Sequence, residues 1–121
     1  MSMIPRLKSR ADFLRVAGYQ RKVVMPTMIV QLARRSQVDK NGQALPSLRI
    51  GFTASRKVGN AVKRNRARRR LRAVGQEVCS SFSFPDVDLV LIARPSTVTA
   101  PFSELIQDCG KALKQLEIQL Q

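Results

Sequence analysis

Leu48-Arg49-Ile50-Gly51-Phe52-Thr53-Ala54-Ser55-Arg56-Lys57-Val58-Gly59-Asn60-Ala61-Val62-Lys63-Arg64-Asn65-Arg66-Ala67-Arg68-Arg69-Arg70-Leu71-Arg72 changes its period partway along. From Leu48 to Ala54 it alternates. Leu48, Ile50 and Phe52 point one way, and Arg49, Gly51 and Thr53 the other, as in a strand with one face on a core. From Asn60 to Val78 the apolar positions Ala67, Leu71, Val74 and Val78 recur at spacings of 4, 3 and 4, which makes a helical stripe. Val87 to Ala93 is almost wholly apolar and reads as a buried central strand. Strand, helix and strand in that order form a crossover unit, so the two strands are expected to be parallel. Val58, Ala61 and Val62 fall on the wrong side of the stripe. Either the helix starts late or its first turn packs on something else.

Outward from this unit the chain is punctuated by turn and cap residues. Residues 1 to 8 read as a basic, loosely held arm. Ser9 caps a short helix, with Asp12 at the fourth position of a shortened capping box, and Gly18 ends it. Thr27 to Arg35 reads as a strand after Pro26. The polar loop from Ser36 to Pro46 contains Asn41-Gly42, a hairpin turn signal. Ser80 to Pro85 is a loop. Pro101 opens a last helix with Leu105, Cys109, Ala112, Leu113, Leu116 and Leu120 on one face. The order helix, strand, strand, helix, strand, helix is that of an α/β sandwich, a small sheet covered by helices. With 121 residues, the chain 1–121 fits a single domain.

The charge is high and uneven. The net charge is +14, with 19 basic and 2 acidic residues in 1–72 but 3 basic and 6 acidic in 73–121. Between Asp39 and Glu77 there is no carboxylate, yet 11 Lys or Arg fall there. A solvated surface mixes signs, so a one-sided block points to a polyanionic partner. Seven of the residues from Lys63 to Arg72 are basic. At 100° per residue Arg66, Arg68, Arg69, Arg70 and Arg72 avoid the apolar stripe. Guanidinium suits bidentate phosphate contacts and stacking on exposed bases. Like charges at i, i+4, such as Arg64 and Arg68, repel until a nucleic-acid backbone neutralises them. Ser55-Arg56-Lys57 and Gly59-Asn60 ahead of the helix could also set backbone N–H groups and cations around a phosphate.

Other chemistry finds little support. There is no histidine, and Cys79 and Cys109 show no CxxC spacing, so a zinc site is not expected and two reduced core thiols are. No stretch is long and apolar enough to span a membrane, and no signal-peptide core is present, so a cytoplasmic location is expected. The basic region offers neither a general base nor clustered carboxylates, which disfavours a protein-only nuclease. No helix-turn-helix or wedge-and-arm pattern suggests a DNA-architectural protein.

At Gly51 to Arg72, with Arg64-Asn65-Arg66 at its heart, the sequence resembles the signature of the bacterial ribonuclease P protein subunit. Arg6-Leu7-Lys8 with Ala11-Asp12-Phe13 resembles that family's N-terminal helix, Asp88 to Pro95 its late strand, and Phe102-Ser103-Glu104-Leu105 the start of its last helix. The resemblance covers most of the chain. It implies a left-handed crossover around the basic helix, an exception to the usual hand. It implies that Lys63, Arg64, Asn65, Arg66, Arg68, Arg69 and Arg72 bind a catalytic RNA subunit. It implies that a cleft between the first helix and the sheet takes the single-stranded 5′ leader of precursor tRNA, with Phe13, Arg56, Lys57 and Asn60 lining or flanking it. The cutting, with Mg2+ held mainly by RNA, would belong to the RNA, and no residue of the protein would be catalytic. A monomer needing no further protein partner is expected.

Two readings of the residues stay open beside the resemblance. An aromatic such as Phe13 on an amphipathic helix is more often core than ligand platform. Where the family usually has a second aromatic one turn later, this chain has Ala17, so the platform is either reduced or completed by Tyr19. A purely structural RNA-binding protein, such as a ribosomal protein, would share the composition. The Arg64-Asn65-Arg66 context favours the ribonuclease P reading.

Overall fold

The computed structural model describes residues 3–84 and 86–120. Residues 1 and 2 of the arm, and Pro85 of the loop, lie outside the described residues. The elements run α1 (Arg10–Gly18), β1 (Arg21–Val24), β2 (Met28–Arg34), β3 (Leu48–Thr53), a 3-10 turn (Arg56–Val58), α2 (Ala61–Cys79), β4 (Val87–Ala93), α3 (Pro95–Thr99) and α4 (Phe102–Gln119). The strands form one mixed sheet in the order β1-β2-β4-β3. β4 is central, antiparallel to β2 and parallel to β3, as the crossover reading requires.

Alternation sorts the strand residues onto two faces. Met28, Val30, Leu32, Ile50, Phe52, Leu89 and Leu91 enter the main core, which Ala67, Leu71 and Val74 of α2 and Leu105, Cys109, Leu113 and Leu116 of α4 close. The opposite face carries a smaller cluster in which Val16 of α1 and Leu7 meet Ala33 and Val90. Burial from both sides is why β4 reads as continuously apolar rather than alternating. The helical stripe ends on Cys79, fully buried, with Val78 only half-buried. Cys79 and Cys109 are both buried and free. A hydrogen bond between them, and then burial, push the Cys79 thiol far up, so it is a packing group and not a nucleophile.

Three expectations are corrected. Ile4 to Lys8 is not a loose arm: Leu7 N–H donates to Ile50 O at 2.9 Å and Ile50 N–H to Pro5 O at 3.0 Å, so the segment pairs with the outer edge of β3. Leu7 is buried, and Gln76 of α2 exchanges hydrogen bonds with the backbone of Ile4. A single apolar residue among basic ones hid this anchor. β1 went unread because its four residues, Arg-Lys-Val-Val, are too few for a period; it forms a hairpin with β2 across Pro26. α3 went unread because five residues rich in Thr and Ser lack helical propensity; Pro95 at its first turn and the Thr97 hydroxyl, which accepts from Arg94 N–H at 2.9 Å, define it. α2 itself starts where the sequence places it, at Ala61 with Asn60 as its N-cap, and the off-stripe apolar positions are explained otherwise. Val58 is buried from the preceding 3-10 turn, while Ala61 and Val62 face solvent, Val62 at 76% exposure.

Candidate nucleic-acid interface

The basic helix begins on a self-tied turn. Ser55 caps the 3-10 turn through Lys57 N–H at 3.3 Å, and Asn60 caps α2 through Lys63 N–H at 2.9 Å. Gly59 between them has φ +142°, which favours glycine, and a Cβ there would push aside the flexible Lys63 stem 2.6 Å away. Arg64 Nη1 donates back to Gly59 O at 3.0 Å. Arg56, Lys57 and Asn60 are exposed around this turn, and the cap uses only the Asn60 amide oxygen.

The guanidinium groups of α2 fall into two sets, which the helical period alone did not separate. Arg70 donates to Thr97 O and Ala100 O, both at 2.6 Å, and Arg66 Nε donates to Val98 O at 3.1 Å. These carbonyls form the C-terminal end of α3, where cations are favoured. Burial, and then the neighbouring Arg66 charge, lower the Arg70 pKa. Lys63, Asn65 and Arg69 are exposed, and Arg68 Nη2 donates to Asn65 Oδ1 at 2.6 Å, leaving the rest of its fork outward. Arg72 is half-buried, and its Nε has no hydrogen-bond partner among the described residues. No carboxylate answers this face. Every ion pair among the described residues joins Asp12 or Asp88 to Arg15, Arg35 or Arg49.

On the far side of the sheet, α1 covers two rows of side chains and leaves a third open. The register places Ala33, Asp88 and Arg49 in one row, Gln31, Val90 and Gly51 in the next, and Val24, Ile29, Ile92 and Thr53 in the third. Val90 and Asp88 are buried beneath the helix, whereas Ile29, Ile92 and Thr53 are half-exposed and Val24 is 54% exposed. This third row lies partly open on the sheet face that carries α1, and the Arg56–Lys57 turn follows the end of β3. Phe13 is half-buried and packs beside Leu7, Val90 and Ile92. Its ring rests on Gly51, where a Cβ would sit 2.5 Å from Cε1. Phe13 is therefore both a packing residue of the smaller cluster and a partly open ring. Ala17 and Tyr19 are exposed, Tyr19 as the C-cap of α1.

Behind α1 lies a group that the pattern reading missed. Asp88 of β4 is fully buried, and its carboxylate accepts Arg49 Nε at 2.8 Å and Nη2 at 2.7 Å, Arg35 Nε at 2.8 Å, and Arg15 Nη2. Burial alone would raise its pKa, but hydrogen bonds and charge from Arg49 and Arg35 outweigh that and hold it below the usual carboxylate value. The signal was one carboxylate inside an apolar strand, which must be paired if it is buried. A carboxylate locked this way is neither a general base nor a metal ligand. Among the described residues no three His, Cys, Asp or Glu come together to hold a metal ion, and no helix is long and apolar enough to cross a membrane.

Comparison with known proteins places this architecture. The family model Ribonuclease P matches residues 1–117. The chain is 48% identical over 113 residues to the ribonuclease P protein component of Paramagnetospirillum magneticum, covering 93% of this chain and 83% of that one. It is 43% identical over 116 residues to that of Ruegeria pomeroyi, covering 95% and 88%. The structure of the Staphylococcus aureus RNase P protein superposes with a TM-score of 0.71 at 26% identity, covering 92% of this chain and 94% of that one.

Proposed function

The chain belongs to the ribonuclease P protein family, and on that premise we propose that it binds a catalytic RNA and the 5′ leader of precursor tRNA, assisting RNA-catalysed, Mg2+-dependent removal of that leader. The observation that carries this is the solvent side of α2, where the cations Lys63, Arg68 and Arg69 have no ion-pair partner among the described residues and Asn65 is exposed among them. Phosphates would relieve the i, i+4 repulsion there and be gripped by planar forks. Arg64, Arg66 and Arg72 flank that face, and the donors of Arg66 not used on Val98 serve the same backbone.

The cleft takes the leader in this reading. An unpaired base stacks against Phe13 over the row Val24–Ile29–Ile92–Thr53, and Arg56, Lys57 and Asn60 meet its phosphates at the β3 end. The protein supplies substrate affinity and screens phosphate repulsion. Asp88 is engaged by three arginines and is not free to hold a metal, and in this reading the RNA holds the Mg2+.

RNA-free protein and precursor tRNA, incubated with Mg2+, test this directly. No cleavage is expected without the catalytic RNA, and added protein should raise that RNA's activity most at low Mg2+. Cutting at the mature 5′ end by RNA-free protein would overturn the assignment.

A further inference from the structure

α1 is a wall of the proposed leader cleft, yet little apolar surface holds it there. Of its nine residues only Val16 is fully buried, with Phe13 half-buried beside it. On the flank away from the cleft floor there is a depression of about 660 Å³, lined by Ser9, Asp12, Arg15, Arg35, Lys40 and Arg49 among others, so no packing backs the helix on that side. What crosses from helix to sheet there is charge. Asp88 is fixed from the sheet by the two-pronged contact of Arg49 on β3 and by Arg35 just past β2. Its remaining contact goes to Arg15 of α1. Asp12, also on α1, lies 3.5 Å from Arg15 and 3.7 Å from Arg49, closing a ring of two carboxylates and two guanidiniums between helix and β3.

We infer that Asp88 is a positioning residue for leader recognition: through Arg15 it sets where α1, and hence the Phe13 ring, stands over the cleft floor. The inference rests on the reading that this cleft takes the leader. Two anchors fix the helix. Arg15 is tied to Asp88 on one flank, and Phe13 is seated on Gly51, where not even a Cβ could be accommodated, on the other. Asp88 is fully buried at the sheet end of the charged ring, while Arg15 and Asp12 are partly open to the depression, so the Asp88 contacts are screened less than a surface pair and the Asp12 contacts more.

The test uses the reconstituted holoenzyme and measures affinity for precursor tRNA with and without a leader. Arg15→Gln removes the charged contacts of Arg15 to Asp88 and Asp12, leaves Arg35 and Arg49 on Asp88, and keeps Asp12 beside Arg49. It should keep the thermal transition cooperative and leave catalytic-RNA affinity within about twofold. It should cut the leader-dependent gain in affinity roughly tenfold, the size of losing about one stacked base, since a factor of ten is 1.4 kcal/mol. Arg15→Lys, which keeps a cation for Asp88, should recover part of that gain. Asp88→Asn should show the same leader-selective loss with a lower melting temperature; if it fails to fold, Arg15→Gln still decides. An unchanged leader-dependent gain in Arg15→Gln would overturn the inference. So would an equal loss of affinity for the leaderless tRNA. Should the unsubstituted holoenzyme itself show no leader-dependent gain, the leader reading of the cleft fails instead.

Discussion

Asp88 illustrates what a single buried charge does to the pH behaviour of the whole. Its pKa is depressed in the folded protein, so the stability it contributes is present above the ordinary carboxylate value of 3.8 and is lost as pH falls through the folded value. Unfolding monitored by circular dichroism should therefore show stability declining below about pH 4, and Asp88→Asn should remove that part of the slope while lowering stability at neutral pH. Truncating one partner of such a buried network costs about 3–5 kcal/mol. A variant whose acid limb matched the parent's would contradict this. Phe13 and Gly51 form the other decisive pair. Phe13→Ala should weaken binding of leader-bearing precursor roughly tenfold, because a stacked base is worth about 1–3 kcal/mol, while catalytic-RNA affinity stays nearly unchanged. Gly51→Ala should phenocopy it, since the new methyl would occupy the space of the Phe13 ring edge. If Phe13→Ala unfolds the protein, the ring's core role outweighs its cleft role.

At the scale of elements, α3 reorganises what the basic helix can present. It joins the β1–β2 turn to α2. Arg94, Ser96 and Thr97 donate to the carbonyls of Met25, Pro26 and Thr27, while Arg66 and Arg70 donate to carbonyls at its other end. Arg69 and Arg70 are adjacent and chemically identical, yet they should behave as opposites. Arg70→Ala loses two charge-assisted hydrogen bonds, each worth about 1.5–3 kcal/mol, and should lower the melting temperature by several degrees. Arg69→Ala should stay within about 0.5 kcal/mol of the parent in stability and weaken assembly with the catalytic RNA. Thermal melts paired with RNA titrations separate the two, and equal melting temperatures for both variants would contradict the division. Here lies the limit of reading elements from sequence. The period of Ala67, Leu71 and Val74 and the alternation of Leu48, Ile50 and Phe52 are long-range repeats, so they were legible. α3 and β1 are too short to show any period, and without α3 nothing distinguished Arg70 from Arg69. The same holds for Asp88, whose partners Arg15, Arg35 and Arg49 are brought together only by the fold.

For the molecule as a whole, the +14 charge is a prediction about salt. If about 6 to 8 phosphates are neutralised, the slope of log affinity against log salt should be on the order of −5 to −7, measured with the catalytic RNA. A nearly flat dependence would mean that the α2 face is not the interface. In the proposed reading, stacking on Phe13 should respond little to salt while the phosphate contacts of Arg56 and Lys57 keep part of the leader contribution salt-dependent, so mutation separates the two surfaces more cleanly than ionic strength does. The fold sets them on opposite faces of one four-stranded sheet, α2 packed over one side and α1 over the other. The central claim is thus a division of labour in which RNA cuts and the protein adds affinity for the leader. Its most direct measurement is the affinity of the catalytic RNA, with and without this protein, for precursor tRNA carrying or lacking the leader. The protein should strengthen binding of the leader-bearing substrate by an order of magnitude or more and leave the leaderless one nearly unchanged. Equal strengthening of both, or of neither, would contradict the account.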